Sequence, residues 1–208
     1  MSEPAKDLSF LRLMAITDDL RDGADGLIER ARAAVRGGAT SIQVRLKEAT
    51  PREVVEIASA MVASLGVPII VNDRADLALA SGAAGVHVGP EDISVKAIRR
   101  VFPPSLIIGA SYGADSEFEN ARLADYVGIG PIAATTSKAD AGSAIGIEEF
   151  KRLASRLALP AVGVGGITPA LASQLRAAGA AGVAVMSGIF SVSDPERASS
   201  SFLHASET

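Results

Sequence analysis

The chain of 208 residues has no cysteine and no tryptophan, and only six phenylalanines and two tyrosines. Without cysteine there are no disulfides and no thiolate metal sites, a composition compatible with a reducing compartment. At 4% aromatic residues there is little material for a surface that stacks nucleic-acid bases. An excess of basic charge is missing too. Twenty Lys and Arg stand against 24 Asp and Glu, for a net charge of −4. Nucleic acid is therefore not an expected partner, and any attraction for phosphate has to come from a local cluster. No apolar run reaches the length of a membrane helix, and the opening Met1-Ser2-Glu3-Pro4-Ala5-Lys6-Asp7 is too polar for a signal peptide. The expectation is a soluble, cytoplasmic protein with no membrane partner and a flexible N-terminal tail over residues 1–10.

What is abundant is small aliphatic side chain. Hydrophobic residues make up 48% of the chain, mostly Ala, Val, Ile and Leu, which suits short buried strands under closely packed helices. From Leu11 onward, short apolar runs ending in polar or Gly-containing turns recur every twenty-odd residues, each followed by a stretch of helical character. The runs at 11–16, 40–45, 68–71, 84–88, 105–110, 125–129, 160–164 and 182–186 predict eight strands. Eight β-loop-α units favour an α/β fold with a single-domain (β/α)8 TIM barrel over residues 11–208, and a doubly wound open sheet is the alternative with the same alternation. Thr50-Pro51-Arg52-Glu53 has the form of a capping box, and Thr168-Pro169 and Asp194-Pro195 repeat the order of cap, then proline.

In a barrel, catalytic groups stand at the carboxyl ends of the strands and on the loops that follow. The unusual polar residues of this chain fall there. After the second predicted strand comes Gln43-Val44-Arg45-Leu46-Lys47, whose alternate residues share a face of an extended chain, so that an amide and two cations can point together. A solvated outer face of the strand produces the same pattern. The third strand runs into Asn72-Asp73-Arg74. Asp73 is either a cap for the helix starting near Ala75 or a carboxylate with a chemical task. The fourth is followed by Glu91 and Asp92. Asp73 and Asp92 suit magnesium, which commonly takes one or two protein carboxylates and completes its octahedron with water and phosphate oxygens. Glu91 competes for the second place, and Asp92 is alternatively a cap. His87 reads as a wall residue of the site.

Ser111, ending the fifth strand, can donate to a phosphate oxygen or serve a turn. The long loop from Gly130 to Gly142 carries Thr135, Thr136, Ser137 and Lys138, a composition that fits a lid clamping a polyphosphate and equally a Ser/Thr-rich loop without specific contacts. Gly165-Gly166 and Ser187-Gly188 follow strands seven and eight, where barrels usually cradle a phosphate on backbone N–H groups. Two anion sites on one face are expected: a metal-assisted one near strands two to six, and a monophosphate site at strands seven and eight.

These separated motifs resemble, in order, those of the thiamine phosphate synthase family over roughly Leu11 to Phe190. Gln43-Val44-Arg45-Leu46-Lys47 is similar to its Q-x-R-x-K, Asn72-Asp73-Arg74 with Asp76-Leu77-Ala78-Leu79-Ala80 to its N-D-R-x-D-L-A-x-A, and Gly85-Val86-His87-Val88-Gly89 to its G-V-H-x-G. Asp125 to Ile132 and Gly163-Val164-Gly165-Gly166-Ile167 continue the family's order. The resemblance implies a transferase of thiamine biosynthesis that joins 4-amino-5-hydroxymethyl-2-methylpyrimidine diphosphate to 4-methyl-5-(2-hydroxyethyl)thiazole phosphate, with Mg2+ as cofactor and diphosphate released along a dissociative, carbocation-like path. It implies that Gln43, Arg45, Lys47, Asn72, Ser111 and Lys138 bind the pyrimidine diphosphate, with Arg45, Ser111 and Lys138 as the catalytic residues among them. Asp73 and Asp92 would hold the metal, Thr135 and Ser137 take the places of the hydroxyls of a T-x-T-K motif, and Gly165 and Ser187 bind the thiazole phosphate.

The chain departs from that pattern at Pro90, at Tyr112-Gly113, at Ala133-Ala134 and at Ser137. It also shares Ala15-Ile16-Thr17-Asp18-Asp19, Ser94 to Arg99 and Ala184 to Phe190 with the related thiazole tautomerase branch, whose catalytic histidine would align with Gly113. An isomerase without its proton-transfer group is hard to defend. A non-catalytic barrel that binds a phosphorylated ligand is the rival from another class. A homodimer stays open, since barrel helices are either covered by a second copy or left solvated.

Overall fold

The computed structural model describes residues 7–135 and 142–204. Eight parallel strands, β1 (Leu13–Ile16), β2 (Ser41–Val44), β3 (Ile69–Asn72), β4 (Gly85–Val88), β5 (Ile107–Ser111), β6 (Tyr126–Ile129), β7 (Ala161–Val164) and β8 (Gly182–Val185), pair in chain order. β8 returns to β1, pairing Met14 with Ala184. That closure separates the barrel from the open sheet. Each strand lies within two residues of its expected place.

Side chains alternate along the strands, as the two-residue period requires. Met14, Ile16, Ile70, Tyr126, Val162 and Ala184 fill the interior, while Leu13, Ala15, Ile42, Val44, Val86 and Val127 face outward beneath the helices. Helices α1 (Gly23–Arg36), α2 (Pro51–Ser64), α3 (Ala75–Ser81), α4 (Val95–Val101), α5 (Phe118–Ala121), α6 (Gly146–Arg156), α7 (Pro169–Ala177), α8 (Ser187–Phe190) and α9 (Pro195–His204) follow the strands. In α2 the buried residues are Val54, Ile57, Ala58 and Met61, the i, i+3, i+4, i+7 stripe of a helix with one apolar face. Each large aliphatic side chain so buried contributes roughly 1.5–3 kcal/mol.

The caps read from sequence form. Thr50 Oγ1 accepts from Glu53 N–H at 3.3 Å while the Glu53 carboxylate accepts from Thr50 N–H at 2.8 Å. Thr168 Oγ1 accepts from Leu171 N–H at 3.2 Å, and Asp194 from Arg197 N–H at 3.0 Å. Among the described residues no helix is long and apolar enough to cross a membrane.

Of the residues expected in the tail, Ser9 and Phe10 belong to the fold. Ser9–Leu11 form a single 3-10 turn across the N-terminal end of the barrel, and Phe10 lies with its ring edge toward Tyr126, centroids 6.0 Å apart. The Phe10 carbonyl accepts from Thr40 Oγ1 at 2.8 Å and Ser41 Oγ at 2.9 Å. An eight-stranded barrel needs side chains to fill its mouth, and this turn provides them.

Candidate active site

At the carboxyl end of β2, Gln43 is only 4% exposed and faces into the barrel, where its Nε2 donates to Met14 Sδ at 3.4 Å. The solvated-face alternative therefore does not hold for Gln43. Two residues on, Arg45 is held at the rim by Thr17, a residue the sequence reading did not single out. Fully buried Thr17 accepts from Arg45 N–H at 2.8 Å through its hydroxyl, which donates to the Arg45 carbonyl at 3.3 Å. Lys47 follows on the exposed side of the rim.

Asp73 leaves β3 with φ 64°, the one left-handed non-glycine among the described residues. Asp and Asn tolerate that region better than most side chains. Its N–H donates to the His87 carbonyl at 2.7 Å. It does not cap α3, whose cap position is Arg74 with no side-chain bond; the Arg74 guanidinium is paired instead with Asp76. Burial first, then the neighbouring Asp92, pushes the Asp73 carboxyl up from 3.8 to about 6, against the opposing charges of Lys47 and Arg45. Asp92 is no helix cap either. Its Oδ2 accepts from Gly89 N–H at 2.7 Å, closing the turn after β4, while Ser94 caps α4. Glu91 is exposed, and the carboxylate that meets Asp73 is that of Asp92.

Two neighbouring carboxylates flanked by cations form a donor set a hard divalent ion can take up, because the ion's charge relieves the repulsion between them. Among the described residues no group of three or more His, Asp or Glu is placed to hold a metal. A pair of carboxylates is the number magnesium uses when phosphate oxygens and water supply the rest. The residues fit the ion.

Two hollows open on this face. One, of about 260 Å³, lies beside β2 and β3 and is lined by Lys47, Asn72, Asp73 and Arg74. The other, of about 730 Å³, spans β5 to β8 and is lined by Ser111, Thr135, Gly165 and Ser187 among others. The first hollow touches only the β2 and β3 side, and Ser111 and Thr135 line the second together with Gly165 and Ser187, so the two hollows do not follow the expected division between strands two to six and strands seven and eight. Ser111 Oγ lies 3.3 Å from His87 Nε2, and His87 Nδ1 lies 3.2 Å from Tyr126 Oη, so His87 is more than a wall and Tyr126 joins the site from below.

The loop after β6 lies on the loop after β7. Ile132 N–H donates to the Val164 carbonyl at 2.9 Å and Ala133 N–H to that of Gly165 at 3.1 Å. Gly165 has φ +88°, and a Cβ there would come within 2.6 Å of Pro131 Cβ. Its missing side chain is thus required by packing as well as open to an anion. Gly113 N–H donates to the Glu117 carboxylate at 2.6 Å. Ser137 and Lys138 lie outside the described residues.

A closed (β/α)8 barrel whose charged and polar residues gather at the strand carboxyl ends defines the class. Within it, the model of the thiamine monophosphate synthase family matches residues 13–189, and the chain belongs to this family. It is 44% identical to the thiamine-phosphate synthase of Azorhizobium caulinodans over 189 residues, covering 88% of this chain and 89% of that one. Identity to the thiamine-phosphate synthase of Xanthobacter autotrophicus is 43% over 193 residues, covering 90% and 92%. Among solved structures, the thiamine phosphate pyrophosphorylase of Pyrococcus furiosus superposes with a TM-score of 0.83 at 33% identity, covering 96% of both chains.

Proposed function

We propose that the protein joins 4-amino-5-hydroxymethyl-2-methylpyrimidine diphosphate to 4-methyl-5-(2-hydroxyethyl)thiazole phosphate, with Mg2+ as cofactor, forming thiamine phosphate and diphosphate. The observation that carries this reading is the meeting of Asp73 and Asp92 beside Arg45 and Lys47, a constellation suited to a metal-bound diphosphate. The relatives at 44% and 43% identity carry the name of this activity.

Asp73 and Asp92 would hold magnesium, which when bound would supply positive charge to stabilise the leaving diphosphate. Arg45 and Lys47 add cationic charge on the same side, and the resemblance to the family assigns the same task to Lys138. Gln43 and Asn72 orient the pyrimidine diphosphate, and Ser111 donates to it. The resemblance to the family assigns Thr135 and Ser137 to substrate binding, and Gly165 and Ser187 hold the thiazole phosphate so that the ring nitrogen faces the pyrimidine methylene. The C–O bond to diphosphate breaks with its electron pair leaving on oxygen, and the nitrogen lone pair then forms the C–N bond. No protein nucleophile is needed. Exclusion of water by the loop after β6 protects the cationic pyrimidine from hydrolysis. A thiazole tautomerase would need a proton-transfer group where this chain has Gly113. The charged substrates would be retained within a membrane-bounded compartment, which supports a cytoplasmic reaction, and sedimentation decides whether a homodimer carries it out.

The test is formation of thiamine phosphate from the two precursors with and without magnesium. Product that depends on magnesium and is lost in Asp73→Asn and Lys138→Ala supports the reading; no product from folded wild-type protein sinks it.

A further inference from the structure

His87 and Tyr126 face the barrel interior from β4 and β6, and Gly109 of β5 is in register with both. The missing side chains of two glycines let the rings meet there. A Cβ on Gly109 would sit 2.5 Å from Tyr126 Oη, and one on Gly128 would sit 3.1 Å from His87 Cε1. The rings are 5.5 Å apart between centroids. Tyr126 is 1% exposed, and a buried phenol hydroxyl needs a hydrogen-bond partner. A neutral imidazole has one N–H and one acceptor nitrogen, so the contacts His87 makes at its two nitrogens admit two opposite polarities.

Only one of them serves an anion. If His87 carries its proton on Nδ1, the Ser111 hydrogen is drawn to Nε2 and the serine presents lone pairs to the cavity. If the proton is on Nε2, Ser111 Oγ is an acceptor toward His87 and its own hydrogen points elsewhere. Burial, with the neighbouring Asp125 carboxylate, holds Tyr126 far above the usual phenol range, so it keeps its proton and has it to donate.

We infer that Tyr126 and His87 form a one-way hydrogen-bond chain that sets Ser111 as a donor to the substrate: Tyr126 O–H donates to His87 Nδ1, His87 Nε2–H donates to Ser111 Oγ, and the Ser111 hydrogen is directed into the cavity. The identity of its acceptor, an oxygen of the departing diphosphate, rests on the function proposed above. Ser111 touches the substrate; His87 and Tyr126 are positioning residues. No proton changes hands along the chain, so charge balances without a further reactant.

The chain has two histidines, His87 and His204, which makes the tautomer readable by nitrogen-15 NMR of the whole protein. The expected spectrum shows neutral His87 protonated on Nε2, and Tyr126→Phe, which keeps the buried ring, removes that preference. In the coupled reaction, Ser111→Ala and Tyr126→Phe each lower kcat/KM for the pyrimidine diphosphate by about tenfold, with KM for the thiazole phosphate unchanged. The double variant is no slower than Ser111→Ala alone, because the tyrosine acts through the serine. An Nδ1-protonated His87 in the wild-type protein, or losses that multiply in the double variant, overturns the inference. The wild-type spectrum decides the polarity even where a variant does not fold or the wild type makes no thiamine phosphate, an outcome that strikes the function and not the chain.

Discussion

The two ends of the barrel are made by the same eight strands and treat polarity in opposite ways. At the end where the strands begin, Phe10 and Leu11 plug the mouth, and the polar groups beside them are matched within the chain: Thr40 Oγ1 accepts from Leu13 N–H at 2.9 Å, and Thr40 and Ser41 both donate to the Phe10 carbonyl. At the other end Asp73 sits in a left-handed conformation and its carboxyl is pressed against that of Asp92. Around the plug these polar groups answer one another. The other end holds strain and like charge that a ligand can relieve, the arrangement expected where a fold trades stability for a site.

The sharpest way to break the comparison is Asp73→Asn, since Asn tolerates the left-handed turn and removes only the charge. Thiamine phosphate formation should fall by about 10³-fold, on the order of 4 kcal/mol in barrier. Stability should move the other way. Because the folded state raises the Asp73 pKa from 3.8 to about 6, it binds more protons than the unfolded state between those values, so the metal-free wild type loses stability as pH rises through that window. The variant lacks this loss. In chelator its melting temperature should equal or fall below that of the wild type near pH 4 and exceed it at pH 7.5; magnesium should raise the melting temperature of the wild type alone. A variant less stable than the wild type at pH 7.5 in chelator would mean the carboxyl pair is structural.

At the opposite end, Leu11→Ala removes a fully buried side chain and should cost about 3 kcal/mol of stability by denaturant unfolding. Kinetic constants per folded molecule should stay unchanged, because strands of this length keep the plug roughly 13 Å from the rim. A fall in kcat without unfolding would show that the two ends are coupled.

The strands were legible because parallel barrel strands are short apolar runs broken by turns, and their ends mark the functional face before any contact is known. Asp73 and Asp92 were legible as carboxylates on the loops after the third and fourth strands. Their choice over capping was not, because it depends on the left-handed turn at Asp73 and on the loop that folds Asp92 back onto Gly89 N–H. Thr17 and Tyr126 stayed hidden for a related reason: a threonine ending an apolar run and a tyrosine inside one read as core, and their partners Arg45 and His87 lie on other strands. Phe10 sat in a polar-flanked segment with no period of its own. For Ser137 and Lys138 the resemblance to the family remains the whole basis.

The smallest expected effect tests whether position on the functional face is enough to make a residue functional. Thr50 begins α2 on the side where Asp73 lies, and Pro51 next to it lines the smaller hollow, yet its hydroxyl answers only to the helix, accepting from Glu53 N–H and donating to the Glu53 carboxylate. Thr50→Ala should lower stability by about 1 kcal/mol, the ordinary loss for an N-cap, and leave KM for the pyrimidine diphosphate as it was. The helix keeps its N-terminal proline and its buried stripe of Val54, Ile57, Ala58 and Met61, so its first turn loosens without leaving the barrel. A rise in KM several times larger than the stability change explains would assign the α2 start to the substrate site and move the boundary between scaffold and chemistry one loop outward.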